Sequence, residues 1–267
     1  MTYVRTEDVE PGIRVVTLDK PERLNAIDFD GVRELHAALD AIAADRSCRV
    51  VILTGAGRGF CAGLDLKAFG GFGDSQSDRV SAGMHFQELI AGLIPKMRSI
   101  PQPIIAAING PATGGGLAFA LGSDVRIAAR SATFAVSFIR VGLSGCDIGT
   151  SYLLPRLVGA SHAFELMLTG RKFDAAEAER IGLVLRVVED AALMASALET
   201  ARLIRANSPF GVWMTKEVMW ANLETPGLAA AIDRENRTQI LAQHSGDMAE
   251  AVAAFLAKRP ADFSGQR

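Results

Sequence analysis

Short apolar runs of strand length alternate with segments of helical periodicity through roughly the first 190 residues of the chain. The runs at 49–55 (RVVILTG) and 103–109 (PIIAAIN) are almost entirely apolar, which is typical of buried strands. Between them, residues 28–44 repeat apolar side chains at the spacing of one helical face and begin with aspartates, which favour a helix N-terminus. This alternation predicts an α/β domain, in which helices cover the faces of a sheet.

The same patterns of apolar residues predict the elements of the rest of the chain. Further strands are predicted at 12–19, 124–129 and 132–136. A helix is predicted over the apolar stripe from Phe86 to Met97, after a Gly-, Ser- and Asp-rich stretch at 70–78 that predicts a mobile loop. Strand signals then stop near residue 190, and successive helices follow. We therefore predict an α/β core at 1–195 and a C-terminal helical segment at 196–267.

The composition excludes several classes of partner and site. The 267 residues include 28 Lys and Arg against 30 Asp and Glu, so no strong field favours a nucleic acid or an anionic membrane as partner. The three cysteines and four histidines lack the spacing of a metal site, and no metal is expected. No stretch approaches the ~18 apolar residues of a membrane span, and the N-terminus has no apolar signal core. We expect a cytoplasmic location.

Three consecutive glycines between a predicted strand and a predicted helix require a physical reason. They lie in the segment 109–119 (NGPATGGGLAF). A phosphate-binding loop would place Lys-Ser or Lys-Thr after its last glycine, whereas this chain has Leu117 and Ala118 there. A dinucleotide-binding turn fits poorly, because its best match at 57–62 (GRGFCA) is not followed by an acidic residue at a strand end. Close packing of a helix against a sheet would by itself explain one or two of the glycines.

A fourth explanation uses all three glycines. A strand that ends in glycines opening a helix leaves backbone N–H groups unpaired at the helix N-terminus, where the macrodipole adds partial positive charge. Those N–H groups can approach a ligand carbonyl closely and stabilise negative charge that develops on it. A second turn of similar character, at 54–66 (TGAGRGFCAGLDL), supplies a second donor. The two turns predict a pair of backbone donors for one oxygen.

These two turns, in this order, resemble the enoyl-CoA hydratase/isomerase (crotonase) family. Five motifs carry the resemblance over nearly the whole chain: LDKPERLNAID (18–28), VVILTGAGRGFCAGLDLKAF (50–69), PQPIIAAINGPATGGGLAFALGSDVRIAA (101–129), LLPRLVGASHAFELMLTGRKFDAAEAERIGLV (153–184) and KRPADF (258–263). The resemblance implies a spiral of ββα units, followed by a C-terminal helical segment that builds trimers, often paired into hexamers.

The resemblance also implies the substrate and its electrophilic site. The substrate would be an acyl-CoA thioester, with coenzyme A as part of the substrate and no separate cofactor. The thioester oxygen would lie between two backbone N–H groups, those of Leu64 and Gly115, which together form an oxyanion hole. This arrangement would stabilise the enolate formed next to the thioester.

Coenzyme A would bind along the first turn and the segment that precedes it. Arg23 and Lys67 are the expected phosphate partners, as cations should be for an anionic ligand. The adenine and pantetheine path would be lined by Leu24, Ala62, Asp65 and Leu66. Lys258 and Phe263 near the C-terminus would complete the site, either in the same subunit or in a neighbouring one.

The chain departs from the family pattern at two positions. In typical hydratases a pair of glutamates holds the water as general base and acid, but Ala118 and Phe138 occupy their places here. Phe138 would make the acyl pocket more apolar. Asp147 stands in a D-x-x-T context similar to that of a functional aspartate in dienoyl-CoA isomerases and in a CoA-thioester dehalogenase. It is interpreted either as a base or nucleophile, or as an ordinary helix N-cap.

Two functions therefore remain open from the sequence. The first is an acyl-CoA-processing enzyme that stabilises a thioester enolate during hydration, isomerisation or a related lyase step. The second is a non-catalytic acyl-CoA-binding protein that acts as a carrier or regulator. Asp147 distinguishes them, because only an enzyme has a turnover to lose when this carboxylate is removed.

Overall fold

The computed structural model describes residues 2–66 and 76–263. The strands in these ranges are β1 (Val4–Glu10), β2 (Ile13–Leu18), β3 (Val50–Gly55), β4 (Ile104–Ile108), β5 (Ala112–Thr113), β6 (Val125–Ala129), β7 (Thr133–Ala135), β8 (Phe173–Asp174) and β9 (Arg186–Val188). The α-helices are α1 (Phe29–Ala44), α2 (Gln76–Ala91), α3 (Leu93–Ser99), α4 (Gly115–Gly122), α5 (Thr150–Val158), α6 (Ala160–Thr169), α7 (Ala175–Arg180), α8 (Leu193–Arg205), α9 (Pro209–Asn222), α10 (Leu228–Gln243) and α11 (Asp247–Leu256).

The strands form a large sheet and a small one. The large sheet has the order β1-β2-β3-β4-β6-β9, in which β1 is antiparallel to β2 and all the other pairs are parallel. The small sheet has the order β5-β7-β8. The chain order β4-β5-α4 and then β6-β7-α5 places one strand of each unit in the large sheet and the next in the small one. This repetition confirms the predicted spiral of ββα units.

The two faces of the large sheet bury different sets of side chains. Because successive strand residues point to opposite faces, Val15, Ile52 and Ile105 share one face and pack with α8. The alternate residues, such as Val51 and Leu53, face the larger core formed with the other helices. Burial on both faces explains why the central strands read as continuous apolar runs.

The predicted strands at 12–19, 49–55, 103–109, 124–129 and 132–136 are confirmed to within one residue at each end. Strand β1 was not predicted from the sequence, because residues 5–9 are exposed on an edge strand and carry no apolar alternation. The predicted helix at 28–44 is α1, and its first turn is capped by Asp28, whose side chain accepts the N–H of Gly31 at 2.9 Å. Of the predicted loop at 70–78, residues 70–75 lie outside the described residues, and α2 begins at Gln76.

After β9, helices follow to the end of the described chain, and a buried lysine anchors α9 on the core. The Lys216 ammonium donates to the carbonyls of Met97 (2.8 Å) and Gln102 (2.9 Å) and pairs with Asp124 at 3.1 Å. Burial lowers the pKa of Lys216, and the charge of Asp124 opposes this change. The indole of Trp220 donates to the same carboxylate at 2.7 Å. These buried bonds hold the C-terminal helices against the α/β core.

Candidate active site

Two strand-to-helix turns meet at the carboxyl edge of the large sheet. The first turn (54–66) leaves β3 and the second turn (109–116) leaves β4. Because β3 and β4 are adjacent and parallel, both turns leave from the same edge. An isolated parallel bridge between Cys61 and Ala112 then joins them directly.

Hydrogen bonds and close packing hold these two turns together. The Thr113 N–H donates to the carbonyl of Cys61 at 3.0 Å, and the Thr113 hydroxyl donates to the carbonyl of Ala62 at 2.9 Å. A Cβ built on Gly116 would lie 2.0 Å from the Cys61 carbonyl oxygen, so no larger residue fits there. One glycine of the triplet therefore serves close packing, as one of the alternative explanations of the sequence requires.

Gly63 brings the backbones of the two turns into contact. Its φ is +91°, in the region where residues with a side chain are strained. A Cβ built on Gly63 would lie 2.7 Å from the Thr113 carbonyl oxygen and 3.2 Å from the Gly115 nitrogen. Leu64, the next residue along the first turn, and Gly115 therefore lie on either side of a contact that only glycine permits.

The N–H groups of Leu64 and Gly115 take no part in the hydrogen bonds that hold the turns. In the parallel bridge between Ile27 and Leu64, the bonds run from Ile27 to the carbonyl of Gly63 and from Asp65 to the carbonyl of Ile27. The N–H of Leu64 points away from that bridge. Gly115 is the first residue of α4, where an N–H has no partner within the helix. Within the described residues, neither N–H donates to an acceptor.

Ser137 and two large apolar side chains lie against the start of α4. A Cβ on Gly114, which has a φ of +52°, would lie 3.1 Å from the Ser137 hydroxyl oxygen and 3.4 Å from the ring of Phe138. A Cβ on Gly115 would lie 3.5 Å from the end of the Ile148 side chain. Phe138 and Ala118 are both buried. Neither Ala118 nor Phe138 places a polar or charged group near the start of α4.

Asp147 is a half-buried carboxylate directly before Ile148. Its Oδ1 accepts the Ile148 N–H at 2.8 Å and the side-chain amide of Gln87 at 2.5 Å. Burial raises the pKa of Asp147, and these two hydrogen bonds oppose that change. Helix α5 begins at Thr150 with Gly149 at its N-cap and no side-chain cap. The interpretation of Asp147 as the helix N-cap is therefore wrong, because its side chain is bonded to α2 instead.

The expected coenzyme A contacts of the first turn lie together. Arg23 donates to Asp65 at 2.6 Å, and this carboxylate, which is buried, raises the pKa of the half-exposed guanidinium. The N–H of Ala62 donates to the carbonyl of Leu24 at 2.9 Å, and Leu66 is exposed. The structure thus brings these five residues to one surface beside the two turns.

Of the remaining expected coenzyme A contacts, Phe263 is placed away from this surface within one chain. Lys67 lies outside the described residues. Phe263 lines a cavity with Gly12 and Arg49, at the amino ends of β2 and β3, whereas both turns follow the carboxyl ends of their strands. Lys258 is exposed and follows α11. A contribution from Phe263 to a site at the turns would have to come from a neighbouring subunit.

Gln87 is a site residue that sequence reasoning missed. It lies on α2, 60 positions before its partner Asp147. No periodicity or motif links two residues at such a separation, and glutamine on a helix is ordinary. The contact exists only because the fold packs α2 beside the loop that precedes α5.

Over residues 2–66 and 76–263, no group of three or more His, Cys, Asp or Glu side chains is arranged to hold a metal ion. In the same two ranges, the helices are too short or too polar to cross a bilayer.

Comparisons with known proteins match nearly the whole length of this chain to one family. The family model for enoyl-CoA hydratase/isomerase matches residues 8–266. A probable enoyl-CoA hydratase of Mycobacterium bovis is 41% identical over 99% of this chain and 93% of its own length. The 1,2-epoxyphenylacetyl-CoA isomerase of Escherichia coli is 38% identical over 97% of each chain. The crystal structure of a probable enoyl-CoA hydratase/isomerase from Mycobacterium abscessus has a TM-score of 0.90 at 39% identity and covers 100% of both chains.

Proposed function

Given that this chain belongs to the enoyl-CoA hydratase/isomerase family, we propose that it is an acyl-CoA isomerase that moves a proton along the acyl chain with Asp147. The observation that carries this proposal is one half-buried carboxylate, Asp147, while the buried residues Ala118 and Phe138 supply no second one. Hydration requires a water held between two carboxyl groups, whereas isomerisation requires a single base that returns the proton it takes.

The two backbone donors stabilise the intermediate. The thioester oxygen accepts hydrogen bonds from the N–H groups of Leu64 and Gly115, which have no other acceptor among the described residues. Negative charge on this oxygen is greatest in the enolate, so the donors stabilise the intermediate more than the substrate. One such donor contributes roughly 3 kcal/mol in a site that excludes water.

The proposed reaction consumes no reagent besides its substrate, because the proton removed from one carbon is returned to another. The Asp147 carboxylate takes a proton from the carbon next to the thioester of a 3-enoyl-CoA, and the electron pair moves onto the thioester oxygen. The protonated carboxyl then returns the proton to the far end of the conjugated enolate, which yields the 2-enoyl-CoA. Neither water nor a redox cofactor is consumed.

Incubation of 3-enoyl-CoA and 2-enoyl-CoA substrates with the protein in deuterated water tests the proposal. We expect the 3-enoyl thioester to be converted to the 2-enoyl isomer, with deuterium that has exchanged onto the Asp147 carboxyl incorporated at the far end of the enolate, the carbon that receives the proton, and no hydroxyacyl product. Hydration of the 2-enoyl thioester at a comparable rate would contradict the single-carboxylate mechanism. Tight binding of a thioester without exchange or turnover would instead favour the acyl-CoA carrier or regulator.

Arg23 provides a test of the coenzyme A end of the site. Substitution of Arg23 by glutamine removes a half-exposed cation beside the first turn, together with its ion pair to Asp65, and leaves a shorter neutral side chain. We expect Kd for coenzyme A and its thioesters to rise roughly tenfold, because a charged hydrogen bond to a phosphate is lost. The kcat at saturating substrate should change little. Isothermal titration at two salt concentrations checks this prediction, since the contribution of Arg23 should weaken at high salt.

The matched control for Arg23 is Arg33→Gln, which removes an exposed arginine on α1 that pairs only loosely with Asp30 at 3.7 Å. Equal losses of affinity in both variants would indicate a general effect of net charge and would remove Arg23 from the site.

We also propose that the chain assembles into trimers or hexamers and that it acts in the cytoplasm. Large apolar side chains on the last two helices support the assembly, since Leu228, Phe255 and Leu256 are each at least 75% exposed. Light scattering coupled to size-exclusion chromatography tests the assembly, and a monomer at micromolar concentration would contradict it.

A further inference from the structure

We infer that Gln87 is a positioning residue for the proton transfer, which holds one oxygen of the Asp147 carboxylate so that the other faces the substrate. This inference rests on the proposed function, in which Asp147 is the base. It adds a residue on a different helix, α2, to the machinery of the reaction.

The hydrogen bonds of Asp147 are distributed unequally between its two oxygens. Both donors, the Gln87 amide at 2.5 Å and the Ile148 N–H at 2.8 Å, bond to Oδ1. No donor in the described part of the chain bonds to Oδ2. The carboxylate is therefore fixed in rotation by one oxygen and keeps the other available to take a proton.

The helix that carries Gln87 is itself held in place. Phe86, the preceding residue, is buried and contacts the ring of Phe29, with ring centroids 3.9 Å apart. Two residues after Gln87, the carbonyl of Leu89 is hydrogen-bonded to the imidazole of His36 on α1 at 2.8 Å. Because these contacts hold the backbone of α2 on both sides of Gln87, its side chain loses little conformational entropy when it bonds to Asp147.

A primary amide suits a carboxyl group that gains and loses a proton. Glutamine carries two N–H donors and one carbonyl acceptor, so it can donate to the ionised carboxylate of Asp147. After Oδ2 has taken a proton, Oδ1 is the carbonyl oxygen of the neutral carboxyl group and still accepts the Gln87 N–H. A leucine of similar size could make neither bond, and a glutamate would add a second negative charge.

Apart from Gln87 and Ile148, no described group makes a direct polar contact with Asp147. Among the described side chains, the titratable and charged ones on the elements around it are His85 and Glu88 on α2, Lys96 and Arg98 on α3, Arg140 and Cys146 in the preceding segment, Tyr152 and Arg156 on α5, and His162 and Glu165 on α6. Within the described residues, none of these is hydrogen-bonded or ion-paired to Asp147. Burial raises the pKa of Asp147, while Gln87 and Ile148 lower it. Loss of the Gln87 donor should therefore raise that pKa further.

The test compares Gln87→Leu and Gln87→Glu with the unchanged enzyme in the isomerase assay across pH. For Gln87→Leu we expect kcat to fall roughly 10- to 100-fold and KM to change little. The acidic limb of the kcat–pH profile should move to higher pH by about one unit, because the ionised carboxylate of Asp147 loses the hydrogen bond from Gln87. For Gln87→Glu the limb should move further in the same direction, because two neighbouring carboxyl groups resist ionising together.

His85→Gln is the matched control, since it removes the exposed titratable side chain two positions away on the same helix. It should leave kcat and the pH profile unchanged. If Gln87→Leu and Gln87→Glu also keep the normal kcat and pH profile while Asp147→Asn is inactive, the positioning role is wrong and the proposed function stands. If Asp147→Asn is itself fully active, the proposed function fails and the role of Gln87 fails with it. Circular dichroism of each variant shows whether a loss of activity comes instead from unfolding of α2.

Discussion

Substitution of Asp147 by asparagine is expected to lower kcat for isomerisation by roughly 10²- to 10⁴-fold and to leave the Kd of the CoA thioester within about threefold. Asparagine keeps an oxygen at the position of Oδ1, where the carboxylate accepts the Ile148 N–H, so the loop should retain its shape. It cannot take a proton at the other atom. Stopped-flow turnover and thioester titration on the same preparation measure the two effects separately.

The pH dependence of Asp147→Asn provides a second readout. Burial raises the pKa of Asp147, so the carboxylate takes up a proton at a higher pH than an exposed aspartate does. The kcat of the unchanged enzyme should therefore fall as pH falls through this raised pKa, and the residual activity of Asp147→Asn should lack that limb.

The raised pKa of Asp147 also predicts how the folding stability of the protein depends on pH. A carboxyl whose pKa is raised on folding disfavours the folded state at pH values above its folded pKa, and the penalty disappears as pH falls below the unfolded value. Asp147→Asn should therefore be more stable than the unchanged protein near neutral pH, with the difference vanishing in acid. Cys146→Ser, at the exposed neighbouring position, is the control and should change neither turnover nor this pH dependence.

Substitution of Gly63 by alanine is expected to lower kcat/KM by roughly 10²- to 10³-fold, which is the loss expected when an oxyanion donor is displaced. The added Cβ would lie 2.7 Å from the Thr113 carbonyl oxygen and 3.2 Å from the Gly115 nitrogen. Both are backbone atoms and cannot rotate away, so the first and second turns must separate. The N–H groups of Leu64 and Gly115 would then lose the proposed convergence on one oxygen.

Gly142→Ala separates the effect of backbone strain from that of the collision. Gly142 also has a positive φ, of +82°, but a Cβ built on it meets no atom within 4 Å. Both alanine variants should lose about 1–2 kcal/mol of folding stability from the unfavourable φ, measured by urea denaturation. Only Gly63→Ala should also lose activity in its folded form. Equal activities of the two variants would argue against the convergence of the two N–H groups.

The first and second turns could be located from sequence because each is a local feature. A buried apolar run followed by glycines and a helix-forming segment specifies a strand, a tight turn and a helix N-terminus within about a dozen residues. Once the strands are parallel neighbours, their carboxyl ends must share an edge. The close approach of Gly63 to Gly115 follows from these local signals and further requires glycine at positions 63 and 116.

The surroundings of Asp147 could not be derived in this way. A D-x-x-T segment before an apolar run predicts a helix cap, and the chain instead turns through a positive φ at Ile148 (+45°) and at Gly149 (+75°) before α5 begins. That turn directs the carboxylate towards Gln87 on α2. Strand β1 was missed for a related reason, because an exposed edge strand is held by its neighbour's backbone and needs no apolar pattern of its own.

The sequence by itself determined the α/β class, the central strands and the two glycine turns, because burial and backbone conformation impose periodic or local patterns on the residues that experience them. Only the tertiary structure decided that Asp147 is bonded to Gln87 and that Phe263 lies at the opposite edge of the sheet from the turns. Contacts between side chains far apart in the chain depend on how whole elements pack, and a single sequence leaves no periodic trace of that packing.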